Sequence, residues 1–147
     1  MKSETTILKG IEQGRAKFAY DKVMEAKTQL KEKAPNYKQY AKKIPAMIKT
    51  NGLGATLVFM GSKAKDKNGN ETAYGVLLNH IFEWLKKDSK PLYGDVANLE
   101  SSTDLPGYVV SLASPQYRAM TLEVLAFVNW VRRFADGMIE GETSDGD

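Results

Sequence analysis

The chain has 147 residues, enough for one domain with a substantial core. It contains no cysteine, which excludes disulfides, thiolate nucleophiles and cysteine-ligated zinc or iron–sulfur centres, and which suits a reducing compartment. The formal net charge of +3 hides an asymmetry: residues 1–67 hold 15 bases and six acids, whereas the last eight, EGETSDGD, hold four acids and no base.

The basic body suits a polyanionic partner, although a solvated, lysine-decorated surface has the same composition. Residues 1–139 read as one helical domain and residues 140–147 as an acidic, disordered tail. No apolar run approaches the roughly 18 residues of a membrane span, and the N-terminus lacks a signal-peptide layout. The expectation is a soluble, cytoplasmic protein with no membrane partner.

Leu8, Ile11, Phe18, Ala19, Val23, Ala26 and Leu30 recur at helical spacing and predict an amphipathic helix over about residues 5–33. It would be roughly 40 Å long. Ala34-Pro35 is expected to stop it, with Asn36 capping the next helix. The apolar face of that helix is Tyr37, Tyr40, Ala41, Ile44, Met47 and Ile48, and Pro45 is expected to kink or divide it. Gly52 closes it, and a third helix starts at Leu53. Lys63–Asn70 reads as a mobile charged loop. Tyr74, Leu77, Leu78, Ile81 and Leu85 predict a fourth helix. Residues 88–113 read as a long connection with a short helix near Asp95–Ser101 and a weak strand candidate at Tyr108–Leu112. Ser114-Pro115 starts the last helix, which runs to about Gly137 or Gly141. The class is all-α: a single-domain bundle of about five or six helices.

The stretch NGLGATLVFMGSKAKDKNGN raises the question of a phosphate loop. A P-loop needs four residues between its glycines and a lysine directly after the second. Here six residues separate Gly54 from Gly61, and Ser62 precedes Lys63. A dinucleotide fingerprint fails as well, since Leu57 stands where the third glycine belongs. His80, the single histidine, forms H-x-x-E with Glu83, but no third metal ligand follows at a recognisable spacing. Nucleophile elbows, paired carboxylates and HExxH are missing. No catalytic residue, metal or cofactor is assigned, and the chain is not read as an enzyme.

The surface carries more. On the first helix Lys9, Lys17, Lys27 and Lys31 share one side with Gln13, Tyr20 and Met24, while Glu12, Asp21, Glu25 and Glu32 fall elsewhere. On the second, Lys38, Lys42 and Lys49 share a face. Lysines spaced along a face can track a phosphate backbone, so these seven are candidate RNA-binding residues; a solvated helix face is the bland reading. The last helix has two faces. Met120, Val124, Phe127, Val128, Val131, Phe134 and Ala135 point to the core. Arg118, Leu122, Leu125, Arg132 and Arg133, with Trp130 at the margin, form a candidate protein interface, because arginines are rarely buried alone.

Three segments together resemble a known family. They are Y-x-x-x-A-K-K-I-P-A-M-I-K-T-N-G-L-G-A-T-L-V-F at Tyr37–Phe59, Y-G-x-L-L-x-x-I-x-x-W-L at Tyr74–Leu85, and Y-R-x-M-T-x-E-V-L-A-F-x-N-W-x-R-R-F-A at Tyr117–Ala135. Their order and spacing resemble the small helical (fifth) subunit of the Cmr complex, the type III-B CRISPR effector. The resemblance implies an all-helical, non-catalytic subunit of antiviral defence. It implies stacking as copies of itself along the complex, beside the repeated backbone subunit, the large polymerase-like subunit and the guide or target RNA. It carries over no catalytic or binding residue. The alternative is a stand-alone basic helical nucleic-acid-binding module, which would not need the arginine–leucine face.

Overall fold

The stripe Phe18, Ala19, Val23, Ala26 forms the inner side of α1, Glu4–Leu30, and Ala19, Val23 and Ala26 are fully buried. The computed structural model describes residues 4–88 and 93–141, apart from the side chains of residues 4–9 and 11. Leu8 and Ile11 of the expected core face therefore lie outside the described side chains. Lys31 takes a left-handed φ of +54° and a 3-10 turn, Lys31–Lys33, follows at once. That turn, not Pro35, ends α1.

Helix α2 spans Ala34–Asn51, so Ala34-Pro35 begins a helix where a stop was expected. Proline fits there because first-turn N–H groups have no helical acceptor in any case. Asn36 is not the cap; Lys33 holds that position, and Asn36 is fully buried in the first turn. Pro45 does not divide α2, which continues through it. The ring is buried, and packing on this face offsets the lost hydrogen bond. Tyr37, Tyr40, Ala41, Ile44 and Ile48 are buried as the spacing requires.

Gly52, with φ +91°, turns the chain into α3, Leu53–Ser62. Residues 63–72 form the charged loop expected, held by local bonds. Lys65 and Glu71 form an isolated antiparallel bridge, and the Asp66 carboxylate accepts the N–H groups of Asn68 and Asn70 at 2.8 and 2.9 Å. Helix α4, Ala73–Asp88, is buried almost all round. In the long connection, 3-10 turns occupy Val96–Asn98 and Ser102–Asp104, close to the short helix expected at Asp95–Ser101. The strand candidate Tyr108–Leu112 is instead largely part of α5, Leu105–Val110, whose Leu105 and Val109 are buried. Helix α6 spans Ser114–Met138, with Ala113 rather than Ser114 as its N-cap.

The architecture is all-α, and no strand occurs among the described residues. Helix α6 packs lengthwise against both α1 and α2, α4 lies against α1, α2, α3 and α6, and α3 pairs with α5. At the centre Trp84 stacks on Phe127 with centroids 5.7 Å apart, and Phe18 leans against both rings. Each large apolar side chain so buried contributes about 1.5–3 kcal/mol from removal of its surface from water. No described helix is long and apolar enough to cross a membrane.

Candidate functional site

Helix α6 buries Met120, Val124, Phe127, Val128, Val131 and Ala135 against its neighbours. The opposite side carries Arg118, Leu122, Arg132 and Arg133, all exposed. Leu122 is 68% exposed, more than any other large apolar side chain described. Leu125 and Trp130 differ from these four: both are half-buried and pack against the core. The sequence-predicted face is thus a cationic line with Leu122 as its apolar point, bordered by two anchored residues.

Helices α1 and α2 flank that line. On the α1 side Tyr20 meets Phe134 edge-on at 5.5 Å, and Trp130 stacks on Phe134 at 5.7 Å. The Arg133 guanidinium lies 5.0 Å from the Trp130 ring centre, and Trp130 donates its indole N–H to Glu12. On the α2 side Lys42 pairs with Asp136 at 2.9 Å, and Lys38 donates to the Ile139 carbonyl at 2.9 Å, at the C-terminal end of α6. The Lys42 ammonium, joined by Lys38 and Arg132, holds the Asp136 carboxyl below its ordinary pKa. The fold therefore brings two of the candidate lysines, Lys38 and Lys42 of α2, to the Asp136–Ile139 end of α6 beside Arg132, and sets Tyr20 of α1, with Lys17 over its ring, at the Trp130–Phe134 edge. Helical projection of separate segments does not reveal that adjacency.

The seven candidate lysines are not equivalent. The Lys9 side chain lies outside the described residues. Lys17 is exposed but pairs with Asp21 at 2.8 Å, so that acid borders the stripe rather than avoiding it. Lys38 and Lys42 are engaged with α6 as described. Lys27, Lys31 and Lys49 are exposed and make no ion pair among the described residues.

His80 has no surface role in this fold. It is 3% exposed, and its Nδ1 lies 2.8 Å from the Tyr37 hydroxyl. Burial, with help from the Lys22 charge, pushes its pKa down to about 3. Glu83 points elsewhere, towards Lys22 and Asn79. No group of three or more His, Cys, Asp or Glu suited to a metal occurs among the described residues.

Sequence reasoning missed one polar centre. Arg15 meets Glu123 through two hydrogen bonds, and Trp84 donates its indole N–H to the same carboxylate at 2.9 Å. The Glu123 bond raises the Arg15 pKa against its partial burial. The one signal in the sequence was an acid inside the apolar stripe Met120–Val124–Phe127, where only a paired charge is tolerated. This network is structural: it ties α1, α4 and α6 at their centre.

The surface presents cations, aromatic edges and one exposed leucine, a chemistry of binding. Comparison with known proteins adds three findings. Residues 11–138 match the family model described as CRISPR-associated protein (Cas_Cmr5). A curated relative, CRISPR system Cmr subunit Cmr5 of Thermus thermophilus, is 30% identical over 125 residues, covering 85% of this chain and 92% of the relative. The crystal structure of a CRISPR-associated Cmr5 family protein from Thermus thermophilus is similar with a TM-score of 0.66 and 29% identity, covering 88% of this chain and 96% of that one.

Proposed function

The chain belongs to the CRISPR-associated Cas_Cmr5 family, and on that premise we propose that it is a non-catalytic structural subunit of a type III-B CRISPR RNA-guided effector, the Cmr complex. In this reading it stacks along the complex with copies of itself, next to the backbone and large polymerase-like subunits and to the guide or target RNA, in antiviral defence. The cytoplasm is the compartment this reading assigns, and the absence of cysteine suits it.

The observation that carries the proposal is Leu122, 68% exposed in the middle of an arginine line. An isolated surface leucine means little, but leucine among arginines on a rigid helix is the composition of an interface centre. Arginine is among the residue types enriched at binding hot spots, where truncation costs about 2 kcal/mol or more. Because Leu125 packs against the core, acid substitution there would disturb the fold, so the probe belongs at Leu122. The double variant Leu122→Asp, Arg132→Glu should stay folded by circular dichroism. Co-purification on a tagged large subunit should recover the other subunits without it. Normal incorporation of the variant would overturn the interface. The stand-alone module, supported by the exposed Lys27, Lys31 and Lys49, predicts that the same variant changes nothing in the cell.

A further inference from the structure

The segment Lys63-Ala64-Lys65-Asp66-Lys67 places three lysines at alternate positions. The chain folds back on itself there. Asp66 N–H donates to the Asn70 carbonyl at 2.9 Å, Thr72 N–H donates to the Ala64 carbonyl at 2.9 Å, and Gly69 supplies the left-handed φ of +84° that the reversal needs. Asp66 pins the tip through Asn68 and Asn70. The loop is held by its backbone and by one aspartate, and of its lysines only Lys65, facing Glu71, has a side-chain ion-pair partner among the described residues.

A cleft opens between this loop and the 3-10 turn after α1. Lys33 lines it from the turn, and Lys63, Lys65 and Lys67 line it from the loop. Asp66 is the one carboxylate in the lining, and it is turned to the loop's own backbone N–H groups. Lys65 has a distant partner in Glu71 at 3.9 Å. Lys33, Lys63 and Lys67 form no ion pair among the described residues. The hydroxyls of Ser62 and Thr72 donate to Phe59 and Lys63 carbonyls, which leaves ammonium groups as the cleft's principal donors. Four lysines from two separate elements thus line a cleft in which Asp66, whose carboxyl is held low by the Asn70 backbone N–H and in part by the Lys33 charge, is the one counter-charge, so the lining stays net positive and a polyanion lying along it would be attracted.

We propose that this cleft is a phosphate-binding site that grips the backbone of single-stranded RNA. The proposal rests on the RNA-adjacent reading of the chain and gives the 63–72 loop its role in it. Spread ammoniums along an open cleft match a run of phosphodiesters better than one phosphate, which is held by convergent N–H groups in a closed cradle. The cleft also continues a basic path: Lys31 stands in the same turn as Lys33, and Lys27 lies one helical turn earlier, both exposed.

The test uses fluorescence anisotropy of a labelled oligouridylate against salt concentration, with the full chain. A cleft variant carries Lys33→Gln, Lys63→Gln and Lys67→Gln; a helix-face variant carries Lys17→Gln, Lys27→Gln and Lys49→Gln. Removing three phosphate contacts should reduce the slope of log affinity on log salt by about 2 in the cleft variant. An unchanged slope there overturns the cleft, and if the helix-face variant alone loses slope, the RNA reading survives without it. No RNA binding by the unaltered chain overturns both. Displacement of RNA by inorganic phosphate at constant ionic strength would mean a free-phosphate site and also overturn the proposal. Photocrosslinking of 4-thiouridine RNA to the unaltered chain reads the contact directly, with no substitution to disturb the fold: peptides from residues 62–72 support the cleft, and crosslinks confined elsewhere refute it.

Discussion

Arg15 and Glu123, 108 positions apart in sequence, form a two-pronged ion pair, with Nε to Oε2 at 2.7 Å and the second guanidinium nitrogen to Oε1 at 2.9 Å. Glu123 is 6% exposed. The pair joins the N-terminal half of α1 to the inner side of α6, and Trp84 of α4 completes it.

Glu123→Ala should therefore be the most damaging single polar substitution in this protein. It orphans the Trp84 N–H and removes the main partner of Arg15, while Glu12 remains as a lesser one. Breaking such a pair by removing one member costs about 3 kcal/mol. For a domain of this size that is roughly a 10 °C fall in melting temperature. Adding Arg15→Met should recover part of it, because the uncompensated charge goes. A Glu123→Ala melting curve that overlays the parent would show that the network carries no stability.

Stability should fall on mild acidification because of His80. Its folded pKa is depressed to about 3 from the ordinary 6.5. Between those values the unfolded chain binds a proton that the native one refuses, so stability present above the unfolded pKa is lost as pH drops. The slope should approach one proton, or about 1.4 kcal/mol per pH unit, below pH 6. Urea titrations from about pH 7 to 5, above the main carboxylate range, isolate the effect. His80→Gln should flatten the dependence; an equal slope in that variant would assign it to another group.

Tyr117→Phe should destabilise the start of α3. The Tyr117 hydroxyl accepts the Gly54 N–H at 2.8 Å, and that amide has no helical acceptor so near the N-terminus. Loss of the partner should cost about 1–2 kcal/mol, measured from the urea midpoint. An unchanged midpoint would mean that water replaces the hydroxyl without penalty.

Close approach by backbone should make Gly75→Ala worse than Gly54→Ala. A Cβ at position 75 would lie 2.4 Å from the Ala64 carbonyl oxygen, which is backbone. At position 54 the nearest atom, at 2.8 Å, is a Val110 methyl on an exposed side chain that can move aside. Thermal melts of the two variants decide the order, and the reverse order would mean that the loop yields more readily than the valine.

Lysines that look alike in sequence should separate on substitution. Lys38→Gln should lower the melting temperature because the ammonium satisfies the Ile139 carbonyl at the end of α6. The effect should be about 1 kcal/mol or less. Lys27→Gln should leave the melt unchanged. Equal behaviour of the two would reduce the Lys38 contact to an exposed, idle one.

The sequence by itself determined the class of the fold and most of its buried side chains. Period-3.6 apolar stripes such as Tyr37–Ile48 and Met120–Ala135 have only one way to leave water, and local spacing records it directly. The family was legible for the same reason, in three such segments. Local rules failed where packing outweighed them: Pro45 sits inside α2, and Tyr108–Val110 are helical because Leu105 and Val109 reach the core. What only tertiary structure decided was which polar residues meet. Lys38 and Lys42 against α6 and Arg15 against Glu123 are contacts between distant segments, and Lys33 comes to line one cleft with the 63–67 lysines. Helical spacing fixes the direction of a side chain around its own axis, but not which neighbouring axis lies there; that is set by how the apolar faces interlock.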